Sequence, residues 1–389
     1  MTSGKQPFEL PSFYVPCPAR LNPNLKAARV HSKAWAYEMG ILVTDEENQE
    51  VVIWSERQFD AMDIALICAY GHPDIDGPML NLVTDWYVWL FFYDDRFLKV
   101  YRQGQDIREG KEHIARLLTF MPLYDLEFPL EPIDAVERGL ANLWSRTAPN
   151  ASLDWLLRFR ESTTNALEAV LWEIANVNQN RIANPIEYIE MRRKVGGAPW
   201  SADLIEYSLR AEIPAAIAPT RPMRVLKDTF ADTSHLQNDI FSYQREVEEG
   251  ENTNCVLVIE KFLNCDPQKA ANITNDLLTS RLQQFENTAL TEVPLLCDEY
   301  GLSPDERFKV LLYTKGLREW YAGSHEWHMT SSRYMNQGAR KSLQVGGMAI
   351  PVTGLGNSGV SVQSLINSMG LKRFKNYDPH IPRPVTEPF

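Results

Sequence analysis

The stretch that most constrains this chain runs from 79 to 102, "MLNLVTDWYVWLFFYDDRFLKVYR", apolar on every face through its middle and then abruptly acidic at Asp94 and Asp95. A helix that is apolar all round belongs at the centre of a large bundle. Its apolar run, "WYVWLFFY" at 86–93, falls far short of the roughly 20 residues a membrane span needs, so the protein's own interior must receive it. Two adjacent carboxylates at its end then sit where a dry interior meets an opening, and charges placed there require cations.

The remaining sequence can build that bundle. From 26 to 338, segments such as "NLKAARVHSKAWAYEMGIL" and "SLDWLLRFRESTTNALEAVLWEIANV" carry apolar residues at spacings of three and four over lengths no strand reaches. Clusters such as "GHPDIDGP" and "FPLEPID" punctuate them, and few β-branched alternating runs appear. The expected fold is all-α, with one helical domain over 26–338. Ten tryptophans and 11% aromatic residues can fill a large core and line a cavity. Residues 1–25 form a Pro-rich arm, expected to wrap the surface because Phe8, Phe13 and Tyr14 would otherwise stand in water. Residues 339–389 turn Gly-rich and then Pro-rich, which predicts either a lid over a cavity or a linker.

A formal net charge of −12 excludes a nucleic-acid surface and means that a polyanionic partner must arrive with its own metal. The five cysteines show no CxxC spacing and read as reduced thiols. The N-terminus has no apolar signal region, so a cytoplasmic location is expected. "HEWH" at 325–328 separates its histidines by three rather than four, which argues against a zinc helix.

A second polar constellation lies in "NDIFSYQREVEEGE" at 238–251. At about 100° per residue, Asn238, Ser242 and Glu246 form one stripe about 40° apart, with Arg245 about 20° to its other side. Alone, such a stripe reads more readily as an exposed face laced with charge pairs. Joined to Asp94 and Asp95 it reads as a Mg²⁺ site, because that ion takes oxygen ligands and is held by few carboxylates together with substrate phosphates. Cationic partners exist in Arg192 and Arg193 beside Gly196 and Gly197, and in Arg333 with the hydroxyl of Tyr334.

"DDRFLK", "NDIFSYQRE", Arg192 placed 46 residues before Asn238, and the Arg333–Tyr334 pair together resemble, in order, the motifs of class I terpene cyclases. The resemblance implies a class I terpenoid-synthase helical bundle around an aromatic active-site cavity. It implies three Mg²⁺ ions held by Asp94, Asp95, Asn238, Ser242 and Glu246, and a prenyl diphosphate bound by Arg192, Arg245, Asn238, Arg333 and Tyr334. Asp94, Arg192, Arg333 and Tyr334 would assist its ionisation. Candidate cavity walls are Trp89, Phe91, Phe92, Gly196, Trp320 and Trp327.

Within the family, "FELPSFYVPCPARLNPNL", "NPIEYIEMRRKVGGAPWSA" and "HEWHMTSSRYMN" are similar to the germacradienol- and germacrene D-forming half of bacterial geosmin synthases. That implies farnesyl diphosphate as substrate and a separate protein for the second half-reaction. A standalone cyclase making another sesquiterpene, or a diterpene from geranylgeranyl diphosphate, is the alternative, with a non-catalytic isoprenoid-binding protein third. A monomer and a homodimer are both compatible with the sequence. Two positions depart from the geosmin-synthase motif: Arg96 stands for its histidine and Lys99 for its last glutamate. Lys99 lies one helical turn after Asp95, where it could pair with that carboxylate.

Overall fold

The computed structural model describes residues 7–43, 52–101, 107–124 and 127–331. Among these residues every regular element is helical and no strand occurs. The α-helices are α1 Leu25–Glu38, α2 Glu56–Met62, α3 Ile64–Gly71, α4 Gly77–Tyr101, α5 Ile107–Leu117, α6 Ala135–Thr147 and α7 Leu153–Asn178. There follow α8 Pro185–Arg192, α9 Ala198–Ser208, α10 Arg221–Glu249, α11 Cys255–Leu263, α12 Pro267–Asn287, α13 Val293–Glu299 and α14 Pro304–Thr330. The predicted C-terminal segment 339–389 lies outside the described residues, as do Arg333 and Tyr334.

α4 is the central helix that its sequence demands. It packs against α1, α3, α6, α7 and α9, and its residues from Leu82 to Trp89 are all buried. Trp86 sits edge-on to Trp89, Phe159 and Trp200, at ring separations of 5.8, 5.1 and 5.9 Å. Such perpendicular contacts suit the aromatic quadrupole and fix the rings beyond what area burial alone achieves.

α10 starts with a proline in its first turn and stops at Gly250, whose φ of 72° ends the helix in the left-handed region. It packs against α9, α11, α12 and α14. Between α8 and α9 the chain breaks at Gly196 and Gly197, with φ of 79° and 71°. Both are glycines because an L side chain is strained there. The break points backbone, rather than a side-chain ridge, into the space between α4, α10 and α14.

Residues 7–24 run irregularly, first along α10 and then past α14 to the end of α3, where the Asn22 backbone N–H donates to the Ala69 carbonyl at 3.0 Å. Phe13 stacks on Phe241 at 5.2 Å, Phe8 packs on Tyr243 at 5.5 Å, and the Tyr321 hydroxyl donates to the Tyr14 carbonyl at 3.2 Å. Phe8, Phe13 and Val15 are thereby buried in a second apolar cluster with Ile240, Phe241 and Leu278. The polar stripe of α10 is thus backed by a packed layer.

Candidate active site

One cavity of about 1200 Å³, open mouth included, collects residues from both polar constellations. Asp94 and Asp95 enter from α4, Asn238, Arg245 and Glu246 from α10, and Arg192 from the end of α8. Ser242 lies between Asn238 and Glu246 on the same stripe, fully buried, and among the described residues its hydroxyl has no hydrogen-bond partner. Phe91, Gly196, Trp320 and Trp327 line the cavity, with Phe91 edge-on to Trp327 at 6.3 Å.

Two expected walls are elsewhere. Trp89 turns into the core, where its indole N–H donates to the Val136 carbonyl at 2.9 Å, and Phe92 packs against Trp54 at 5.3 Å. A helix apolar all round conceals which of its faces looks into a cavity. Tyr87 and Leu90 share that face with the expected Phe91.

Arg192 is held by the residue beside the stripe. Its Nη2 donates to Asp239 Oδ1 at 2.9 Å and to Asn238 Oδ1 at 3.1 Å, and its Nε donates to Asp239 Oδ1 at 3.2 Å. The other oxygen of Asp239 accepts from the Tyr188 hydroxyl and from the Cys255 backbone N–H, the latter at 3.0 Å. Asn254 donates to Glu246 Oε2 and to the Asp239 carbonyl, each at 2.8 Å. Asp239, Tyr188 and Asn254 are absent from the sequence reading. The spacing of Asp239 puts it off the stripe, and only the fold brings α8 and the start of α11 to it.

The departures from the motif prove peripheral. Lys99 donates to the Val52 carbonyl at 2.8 Å instead of pairing with Asp95, whose Oδ2 accepts the Trp54 indole N–H at 2.7 Å. Arg96 turns to Asp134 at 3.1 Å. Arg193 also leaves the cavity, bound by both oxygens of Asp232 at 2.7 and 2.9 Å. His325 and His328 diverge: His325 meets Gln237 at 3.3 Å, while His328 sits against Asn238 at 3.1 Å and the Ser324 carbonyl at 2.7 Å.

The mouth is crowded with acids. Glu173 from α7 and Glu251 beyond α10 also line it. Burial, then the Asp94 carboxylate, raises Glu173 well above the usual carboxylate range, and burial, then Glu246, pushes Glu251 up to about 8. Burial, then the charge of Arg192, holds His235 well below the ordinary imidazole value, so it stays neutral. A site with more carboxylates than it can ionise together is a site that cations relieve. The donors are carboxylates, a carboxamide and a hydroxyl, all oxygen, which suits Mg²⁺ better than zinc. The unpartnered Ser242 hydroxyl fits the same purpose, since a buried polar atom is expensive unless something binds it.

The family model described as terpene synthase family 2, C-terminal metal binding, matches residues 85–284. The chain is 27% identical to pristinol synthase of Streptomyces pristinaespiralis, covering 83% of this chain and 84% of that one. It is 26% identical to the farnesyl diphosphate-cyclising 7-epi-alpha-eudesmol synthase of Streptomyces viridochromogenes, covering 86% and 95%. Among solved structures, an α-eudesmol synthase superposes with a TM-score of 0.71 at 24% identity, covering 82% of this chain and 99% of that one. The germacradien-4-ol synthase from Streptomyces citricolor gives 0.70 at 20% identity, covering 82% and 100%. At those identities the likeness to the solved structures is one of fold. No helix among the described residues is long and apolar enough to cross a membrane.

Proposed function

The chain belongs to terpene synthase family 2, and on that premise we propose a Mg²⁺-dependent sesquiterpene cyclase. It ionises farnesyl diphosphate, releases diphosphate, and closes the cation to products of the germacradienol and germacrene D type. The observation that carries the reading is the meeting of Asp94 on α4 with Asn238 and Glu246 on α10 at the mouth of one cavity, beside Arg192 and above aromatic walls.

Asp94, Asp95, Asn238, Ser242 and Glu246 would hold the metal, three ions in this reading, and bound Mg²⁺ supplies Lewis-acid neutralisation of the leaving diphosphate. Arg192 and Arg245 bind the diphosphate oxygens, with Arg333 and Tyr334 assigned the same task from the sequence. Because Asp239 already fixes Arg192, the guanidinium meets developing charge on the leaving group without reorganising. Below the mouth, Phe91, Trp320 and Trp327 offer π faces to the carbocation and keep water from it.

Farnesyl diphosphate is supported by the names of relatives such as the 7-epi-alpha-eudesmol and 4-epi-cubebol synthases, both described as cyclising it. The germacradienol assignment rests on the sequence segments similar to geosmin synthases. Action in the cytoplasm, and onward passage of the alcohol to a separate second enzyme, belong to the same proposal.

Incubating the purified chain with farnesyl diphosphate and, separately, geranylgeranyl diphosphate, with Mg²⁺ and with EDTA, tests it by gas chromatography and mass spectrometry of the extract. Germacradienol from the fifteen-carbon substrate, lost with EDTA, is the expected result. Another hydrocarbon retains the cyclase and overturns the product. No turnover of either substrate overturns the catalytic reading in favour of an isoprenoid-binding protein.

A further inference from the structure

The end of the cavity away from the acidic mouth is shaped from behind by a residue that never touches it. α3 crosses α14 backbone against backbone: a Cβ added to Gly323 would stand 2.5 Å from the Tyr70 carbonyl carbon and oxygen. That crossing presses Gly71, the last residue of α3, against the indole of Trp320. A Cβ at Gly71 would meet Trp320 Cδ1 at 2.6 Å and Nε1 at 3.0 Å. The same indole donates its N–H to the Tyr87 hydroxyl at 2.8 Å and meets Phe230 edge-on at 5.2 Å. Trp320 is therefore gripped on three sides.

Trp320 and Tyr87 line the cavity, whereas Gly71 does not. On α4, Tyr87 precedes Asp94 by seven residues, which places it on the same face roughly 10 Å along the helix axis. A diphosphate held at Asp94 and Arg192 thus leaves its hydrocarbon chain pointing at the Tyr87–Trp320 pair.

We propose that Trp320, seated by Gly71 and tied to Tyr87, is the floor that limits the length of the isoprenoid chain, and that Gly71 is a specificity-determining residue lying outside the cavity. The inference rests on the prenyl diphosphate reading above. A rigid ring with its N–H engaged and its edge against backbone cannot swing aside for five additional carbons. Bulk added at Gly71 has one direction in which to displace the ring, into the cavity.

The test is a competition in which geranyl, farnesyl and geranylgeranyl diphosphates are supplied together in equal amounts with Mg²⁺, and each is followed by liquid chromatography and mass spectrometry. The proteins are the full chain, Gly71→Ala, Trp320→Ala and the double variant, with circular dichroism to establish that each is folded. Ratios within one reaction are insensitive to how much of a variant is active. Trp320→Ala raises twenty-carbon over fifteen-carbon consumption by about tenfold or more, on the scale by which pockets discriminate added methylenes. Gly71→Ala shifts the ratio towards the ten-carbon substrate, and in the Trp320→Ala background it changes nothing, because the ring through which it acts is gone. An unchanged ratio in folded Trp320→Ala, or an equal effect of Gly71→Ala with and without the indole, overturns the proposal. Should Gly71→Ala not fold, Trp320→Ala alone decides. A parent chain that consumes none of the three substrates overturns the prenyl diphosphate reading itself, a result distinct from unchanged selectivity in an active enzyme.

Discussion

Arg192 and Asp239 are paired in the protein interior, Nη2 to Oδ1 at 2.9 Å, with the carboxylate wholly buried and the same guanidinium reaching Asn238 Oδ1 at 3.1 Å. The pair ties the end of α8 to the polar stripe of α10. A buried pair contributes little against an apolar replacement of both partners, yet removing one leaves an uncompensated charge. Asp239→Ala is therefore expected to cost about 3–5 kcal/mol in urea denaturation, as broken buried pairs do. Asp239→Asn keeps acceptors for the Tyr188 hydroxyl and the Cys255 N–H, so it costs less stability while lowering turnover by unfixing Arg192. A loss under about 1 kcal/mol for Asp239→Ala contradicts the pairing, being below the usual cost of a lost buried partner.

Ser242 separates function from stability. Its hydroxyl is buried without a partner among the described residues, so their packing gains no hydrogen bond from it. Ser242→Ala should leave the metal-free protein as stable as the parent or up to about 1 kcal/mol more so, the desolvation penalty being relieved. The rise in melting temperature that Mg²⁺ and inorganic diphosphate produce together should shrink in the variant, since a ligand stabilises in proportion to its affinity for the folded state. Differential scanning fluorimetry with each additive alone and with both reads the two effects separately. Destabilisation of the metal-free variant would show the hydroxyl to be structural.

The meeting of Asp94 with the α10 stripe was legible for two reasons: the apolar run of α4 ends abruptly at Asp94, and helical periodicity puts Asn238 and Glu246 on one face of α10. What escaped were partners that periodicity does not address. Asp239 lies one residue from Asn238 and so reads as off the stripe, although α8 delivers Arg192 and Tyr188 to it across the fold. Choosing Trp89 and Phe92 over Tyr87 failed for a related reason: with every side of α4 apolar, no amphipathic contrast marks the cavity face. Arg193, next to Arg192, points to Asp232 because the end of α8 keeps helical dihedrals through Arg193, and neighbouring residues on a helix project about 100° apart.

Gly196 occupies a φ of 79°, and a Cβ there would stand 2.7 Å from Arg192 Nη1 and 3.0 Å from His235 Nε2. Gly196→Ala combines backbone strain of about 1–2 kcal/mol with displacement of the guanidinium. A misplacement near 1 Å can lower turnover on the order of a hundredfold. Gly197→Ala carries similar backbone strain, but its Cβ meets only the flexible end of Leu90 at 2.7 Å. Steady-state diphosphate release should fall much further for Gly196→Ala, and equal losses at both positions would count against the steric argument.

Lys99 was placed by sequence where a motif glutamate stands in geosmin synthases, yet it is exposed and donates to the Val52 carbonyl. Lys99→Met removes one surface hydrogen bond, which should change stability by no more than about 0.5 kcal/mol and leave kcat/KM and its Mg²⁺ dependence unchanged. A clear gain or loss of kcat/KM, with the Mg²⁺ requirement altered, would show that Lys99 acts on the metal site.

All five cysteines are free, and burial governs their reactivity. Burial, then the Glu319 charge, pushes Cys17 up to about 11 from its ordinary 9, and burial raises Cys68 and Cys255 further. The thiolate is the reactive form, so at pH 8 a thiol of that pKa is ionised in only about one part in a thousand. Because the folded-state value lies above the unfolded one, the unfolded chain loses its proton first. The stabilising difference is complete below about 9 and declines as pH rises from 9 towards 11. A thiol-specific disulfide reagent at pH 8 should react promptly with the half-buried Cys265, slowly with the remainder, and with all five once guanidinium unfolds the chain. Prompt modification of Cys68 or Cys255 in the native protein, read by peptide mapping, would mean that α3 or the start of α11 opens far more often than their packing allows.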